Sequence, residues 1–239
     1  MLQHETTEGV TTLTLNRLEK GNALSAQLVE ALIERTSHAF DDQQTKALVI
    51  NASGAHFCTG FDLANLAASS EGDLLHRFVR VEQLLQLLWN APIRTVAVAQ
   101  GRTWGAGADI FAACEVRFCT GDTTFRFPGA RFGIALGTRR LAERVGADHA
   151  RRWILEGAQI RIDEALSTGL VNRSIVSGDG VMAVAAAVAQ VVDRDTGAAI
   201  RALARKDESD RDLAALVRSA ARPGLKARIE AYVGELRKL

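Results

Sequence analysis

The chain has 239 residues, 47% of them hydrophobic and 24% charged, enough apolar material for one sizeable core and at most a smaller appended lobe. Twenty-nine basic against 28 acidic residues leave a formal net charge of +1, which excludes the broad positive footprint of a nucleic-acid or anionic-membrane binder. Any anionic ligand has to be met locally. Met1-Leu2-Gln3-His4-Glu5 has neither a basic n-region nor an apolar h-region, and the longest apolar stretch, Val181–Ala189, is too short for a bilayer span. A cytosolic protein is expected. Cys58, Cys114 and Cys119 are odd in number and lack C-x-x-C spacing, so they read as small buried hydrophobes, with no disulfide framework and no metal site expected.

Val10–Leu15 alternates as a half-buried strand, and Ser25 reads as the N-cap of a helix whose Leu28, Leu32, Ile33 and Phe40 share one face. Lys46–Asn51 is a compact apolar strand. Asp73–Trp89 is a long amphipathic helix that stops before Pro92, with Leu74, Phe78, Val81, Leu85 and Leu88 as a stripe of core packing. Arg94–Ala99, Glu115–Thr120 and Thr123–Phe127 are further strands, and beyond Thr138 the pattern turns almost wholly helical. This order predicts an α/β core over residues 1–177 and a helical C-terminal region over 178–239, with helices at Val181–Val192, Ala198–Ala204, Asp212–Ala220 and Leu225–Leu236. Their narrow apolar stripes need a partner, so they are expected to pack across a subunit boundary.

Two stretches carry the chemistry. His56-Phe57-Cys58-Thr59-Gly60-Phe61-Asp62-Leu63 and Gly101-Arg102-Thr103-Trp104-Gly105-Ala106-Gly107-Ala108-Asp109 each follow a β-rich run and place small residues where the chain turns and is expected to begin a helix. Such turns leave backbone N–H groups facing outward, and two of them can hold a negative oxygen without spending a charged side chain. Gly105-Ala106-Gly107-Ala108-Asp109-Ile110 lacks the third glycine of a dinucleotide fingerprint, and no G-x-S-x-G elbow supports a covalent hydrolase.

Asn16-Arg17-Leu18-Glu19-Lys20-Gly21-Asn22-Ala23-Leu24 resembles the N-R-P-E-K-x-N-A-L segment of the crotonase superfamily, the enoyl-CoA hydratase/isomerase family, with Leu18 where proline is usual. Phe57–Leu63 is similar to its F-C-A-G-x-D-L turn. Gly101–Asp109 with Ala112-Ala113-Cys114-Glu115-Val116-Arg117 resembles its N-G-x-x-x-G-G-G-x-E and A-C-D-x-R segments. Phe132-Gly133-Ile134, Gly137-Thr138-Arg139-Arg140-Leu141 and Glu164–Asn172 continue the pattern in order, so the match covers nearly the whole chain.

The resemblance implies a spiral of β-β-α units with a helical C-terminal region, a homotrimer or dimer of trimers, and an acyl-CoA thioester as substrate with no separate cofactor. It places the thioester oxygen between the N–H groups of Phe61 and Ala106. Lys20, Thr59, Leu63 and Ala64 match positions along the nucleotide or pantetheine path, and Asp62 and Gly105 belong to the same two turns. Ala231-Tyr232 resembles an A-F pair, with Arg237 or Lys238 as phosphate candidates. Hydratases of the family pair two glutamates. Here the first position holds Asp109, a shorter acid, the second falls at Gly129 in Phe127-Pro128-Gly129-Ala130, and the loop Gly133–Gly137 is shorter than usual.

One carboxylate makes hydration a poor fit, whereas a single acid/base can move a proton between the α and γ carbons of an enoyl thioester. Isomerisation with Asp109 as the proton-transfer residue is therefore the favoured reading. Capping of the helix start is the plain alternative for Asp109, and a turn role that for Asp62. A decarboxylase, a thioester hydrolase and a degenerate acyl-CoA binder stay open. Arg126 and Arg131 flank the altered segment and can receive an acyl carboxylate, with surface solvation as the plainer reading. Glu115 with Arg117 reads as an ion pair or subunit contact, His56 as a loop residue, and Trp104 as either pocket or core.

Overall fold

A computed structural model describes residues 1–176, 184 and 192–236. The helix expected at Val181–Val192 lies almost wholly outside the described residues, as do Arg237, Lys238 and the expected domain boundary. A six-stranded sheet runs in the order β1 (Leu2–Thr7), β2 (Val10–Leu15), β3 (Ala47–Ala52), β4 (Arg94–Ala99), β6 (Val116–Thr120), β9 (Arg173–Ile175), parallel throughout except for the β1–β2 hairpin. A second sheet joins β5 (Arg102–Trp104), β7 (Thr124–Arg126) and β8 (Gln159–Arg161).

Four strands were not expected from the sequence, one of them the three-residue β5. β1 has an exposed, polar face with no clean alternation, and only the tight turn at Glu8-Gly9, both with positive φ, marks its hairpin. β8 and β9 are three residues each, too short to show a period, and they interrupt the segment after Thr138 that was expected to be almost wholly helical.

The helices follow their apolar stripes. In α1 (Ala26–Asp41) the Ser25 hydroxyl accepts from the Leu28 N–H at 3.2 Å, and Leu28, Val29, Leu32 and Phe40 turn inward. Ser25→Ala removes that cap and is expected to cost about 1 kcal/mol of stability, read as a lower thermal midpoint. α2 (Glu71–Trp89) opens on a capping box between Ser70 and Asp73. α3 (Ala106–Ala113), α4 (Thr138–Val145), α5 (Ala147–Glu156) and α6 (Ile162–Ser167) pack around the sheets, followed by α7 (Arg194–Ala204), α8 (Ser209–Ala220) and α9 (Leu225–Leu236).

The partner that the apolar stripes of α8 and α9 need is supplied in part by the chain itself. Leu216, Ala220, Leu225 and Ile229 form a buried cluster with Leu74 and Phe78 of α2 in the same chain. Apolar side chains left outside include Ile200 and Leu203 of α7, the latter 88% exposed. All three cysteines are buried, and burial pushes the thiols of Cys58 and Cys114 up to about 12 and that of Cys119 to about 11. Among the described residues, no helix is long and apolar enough to cross a membrane.

Candidate active site

The spiral brings the two glycine turns side by side through strand register. After β3 the chain crosses to the second sheet, where Cys58 forms a parallel bridge with Thr103 of β5, fixed by Cys58 N–H to Arg102 O at 3.2 Å and Trp104 N–H to Cys58 O at 2.9 Å. Phe61 and Ala106 each stand three residues beyond that bridge, so they emerge at one level. Gly60 and Gly105 both have positive φ, +103° and +53°, and a Cβ on Gly105 would lie 3.5 Å from the Gly60 Cα.

Only the second turn begins a helix. Beyond Phe61 the chain runs through Asp62-Leu63-Ala64 to a short 3-10 turn at Leu66–Ala68 before α2 starts, which corrects the expectation of a helix at both turns. Ala106 is the first residue of α3, whose Gly105 cap makes no side-chain bond. Neither the Phe61 nor the Ala106 N–H donates to a partner among the described residues. A Cβ on Gly60 would lie 3.7 Å from the Ala106 N and 3.1 Å from the Trp104 O. Gly60→Ala is therefore expected to crowd the space before the Ala106 amide and to lower substrate affinity and turnover together, measurable as a loss in kcat/KM.

Both turns open into a cavity of about 260 Å³. Thr59, Phe61, Leu63, Gly105, Ala106 and Asp109 line it, six of the residues expected in the site. Lys20 stands in an adjoining groove with Thr59, His56 and Arg102. Asp62 and Ala64 line neither space. The Asp62 carboxylate accepts from the Ala64 N–H at 2.8 Å and pairs with Arg17 at 2.6 Å, which locks the turn that presents Leu63. Trp104 belongs to the cavity wall and donates its ring N–H to Thr124.

The wall includes residues that periodicity assigned only to packing or did not single out. Phe78 stacks on Phe61 with ring centroids 4.2 Å apart, and Phe132, Ile134, Leu136 and Tyr232 also line the cavity. The signal for Tyr232 was its place in the A-F-like pair; for Phe78 the helical stripe gave none beyond core.

Asp109 is the only carboxyl among the described residues of the wall. It sits at the fourth position of α3, in the first turn where the helix dipole favours an acid, is 7% exposed, and makes no capping bond. Burial holds its carboxyl well above the ordinary range, the neighbouring Glu82 carboxylate adds to the rise, and Arg140 opposes it. Glu82 and Arg140 are an ion pair at 2.6 Å, each side chain 1% exposed, with Asp212 of α8 also on Arg140 at 3.3 Å. The Asp109 Oδ1 would lie 2.2 Å from a Cβ on Gly137, so the glycine that ends the shortened loop, with φ +66°, makes room for this carboxyl.

Gly129 is the second residue of the 3-10 segment Pro128–Phe132 and lines the same cavity. Its carbonyl accepts from the Ile134 N–H at 2.9 Å, and a Cβ there would stand 3.1 Å from the Ile134 O. Two other expectations change. Glu115 pairs with Arg94, Arg201 and Arg205, while Arg117 donates to the carbonyls of Leu170, Gly169, Cys114 and Glu115, its pKa lowered to about 9 chiefly by burial. Arg131 pairs with Glu235 at 2.8 Å and is not part of the cavity wall, whereas Arg126 is.

The α/β spiral thus carries, on one cavity, two amides without a partner among the described residues and one buried acid, and its family follows from comparison. The family model for enoyl-CoA hydratase/isomerase matches residues 5–222, and the chain belongs to that family. It is 33% identical over 172 residues to a protein described as "Probable enoyl-CoA hydratase echA6" of Mycobacterium leprae, covering 70% of this chain and 68% of that one. It is 31% identical over 177 residues to the ethylmalonyl-CoA decarboxylase of Mus musculus, covering 72% of this chain and 54% of that one. A crystal structure from Bordetella parapertussis, described as a "putative enoyl-CoA hydratase/isomerase", superposes with a TM-score of 0.95 at 44% identity, covering 97% of this chain and 98% of that one.

Proposed function

We infer that the protein isomerises an enoyl-CoA thioester through a dienolate, with the N–H groups of Phe61 and Ala106 as its oxyanion hole and Asp109 as the single proton carrier. The observation that carries this is the pairing of two unpartnered amides with one carboxyl on the same cavity. The Asp109 carboxylate takes a proton from the α carbon of a 3-enoyl thioester, and the C–H electron pair delocalises onto the thioester oxygen. Donors already aimed at that oxygen in a dry site stabilise the developing charge without reorganisation. The same carboxyl, now protonated, returns its proton to the γ carbon, and the double bond ends in conjugation with the thioester. A desolvated carboxylate with a raised pKa is the stronger base such a carbon acid needs.

Hydration fits less well. It needs one group to orient water and a second to manage the α proton, and Gly129 supplies no side chain for that second task. On this reading Lys20, Thr59, Leu63 and Ala64 flank the CoA path, and Asp62 and Gly105 shape the turns beside it. The same reading expects an oligomer, for which exposed Ile200 and Leu203 give an apolar face. The test is to supply 3-enoyl-CoA and follow ultraviolet absorption of the conjugated product. Appearance of the 2-enoyl thioester supports isomerisation. Accumulation of a 3-hydroxyacyl product from the 2-enoyl thioester instead would assign the protein to hydration.

A further inference from the structure

Arg126 has a chemistry that a plain hydrocarbon chain does not use. β5 and β7 are parallel, with Arg102 opposite Thr124 and Trp104 opposite Arg126, so both arginines stand on the same face as the Trp104 indole. Their guanidinium carbons lie 4.9 Å (Arg102) and 5.9 Å (Arg126) from that ring. The Arg126 Nε–H donates to the Gly157 carbonyl at 2.9 Å, which fixes the group, while no carboxylate among the described residues pairs with it. Arg131 differs, because Glu235 neutralises it. Tyr232, beneath Arg131 and on the same cavity wall as Arg126, has a hydroxyl without a hydrogen-bond partner among the described residues. A guanidinium held by one carbonyl, with its amino groups open, is a fork shaped for a carboxylate. An alkyl chain pressed against it would strip water from the charge and return nothing.

We propose that Arg126 receives a carboxylate carried by the acyl chain, so that the substrate is a carboxyacyl thioester. The proposal rests on the acyl-thioester reading of the cavity and adds its substrate class. The anion could also come from the phosphates of CoA, and the test separates the two sources. Binding of glutaryl-CoA, valeryl-CoA and free CoA is measured by calorimetry with the wild-type chain, Arg126→Gln and Arg126→Lys. Wild type is expected to bind glutaryl-CoA about tenfold or more tighter than valeryl-CoA. Arg126→Gln abolishes that preference, and Arg126→Lys keeps part of it. Equal affinity of the wild type for the two thioesters overturns the proposal. So does an Arg126→Gln loss of the same size for both thioesters and free CoA, which assigns the cation to the phosphates. Both acyl groups are saturated, so a glutaryl preference alongside failure to isomerise either 3-enoyl-CoA or its ω-carboxylate counterpart would reject the isomerase reading and leave this one standing. Failure of the wild type to bind either thioester rejects both.

Discussion

Ala106→Pro is expected to lower kcat/KM roughly 10²- to 10³-fold while the chain still folds, because the loss of one preorganised donor to an oxyanion is worth about 3 to 4 kcal/mol in the transition state. The position makes the change unusually clean. Ala106 is the first residue of α3, where proline's fixed φ suits the helix and where the deleted N–H has no place in the helical ladder. The preceding Gly105 has ψ −131°, outside the α region that a following proline disfavours. The check is a pair of measurements: steady-state kinetics on 3-enoyl-CoA, and a thermal melt that stays close to that of the wild type.

Asp109→Asn is expected to reduce kcat by roughly 10²- to 10⁴-fold, the usual span for removing a positioned acid/base, with a much smaller change in KM. Its pH behaviour follows from the raised pKa. The group is a base only when ionised, so wild-type kcat is expected to fall as pH drops below the raised folded value, an acid limb the variant lacks. Stability runs the other way. A carboxyl whose folded pKa exceeds its unfolded one contributes stability that is complete below the unfolded value, about 4, and is lost as pH rises through the folded value. The asparagine carries no such dependence. Melting curves are therefore expected to show the variant gaining on the wild type as pH rises from about 4, with the difference levelling off once Asp109 is ionised in the folded chain.

The glycine turns were legible because Gly60 and Gly105 occupy backbone conformations that other residues resist. The long elements were legible for a related reason. β2, β4 and α9 fall on the expected bounds, and α1 starts one residue after its serine cap. Juxtaposition was harder to read. That Cys58 bridges Thr103, and so levels Phe61 with Ala106, is a statement about register, which no local pattern encodes. The Glu82–Arg140 pair beside Asp109 joins α2 to α4 across 58 residues of chain and gives no periodic signal in either helix. Phe78 had the right period for core and proved to be both core and wall, stacked on Phe61. The split between Arg126 and Arg131 depends on Glu235, more than a hundred residues away, reaching one of them and not the other.

The most direct measurement of the enolate claim is hydron transfer from the α to the γ carbon during turnover. A 3-enoyl-CoA thioester deuterated at its α carbon, incubated with the enzyme and followed by NMR, is expected to give 2-enoyl-CoA with deuterium at its γ carbon with the wild type, and far more slowly with Ala106→Pro. Transfer by Ala106→Pro at the wild-type rate would contradict the account, since the charge on the thioester oxygen would then be held by something other than that amide.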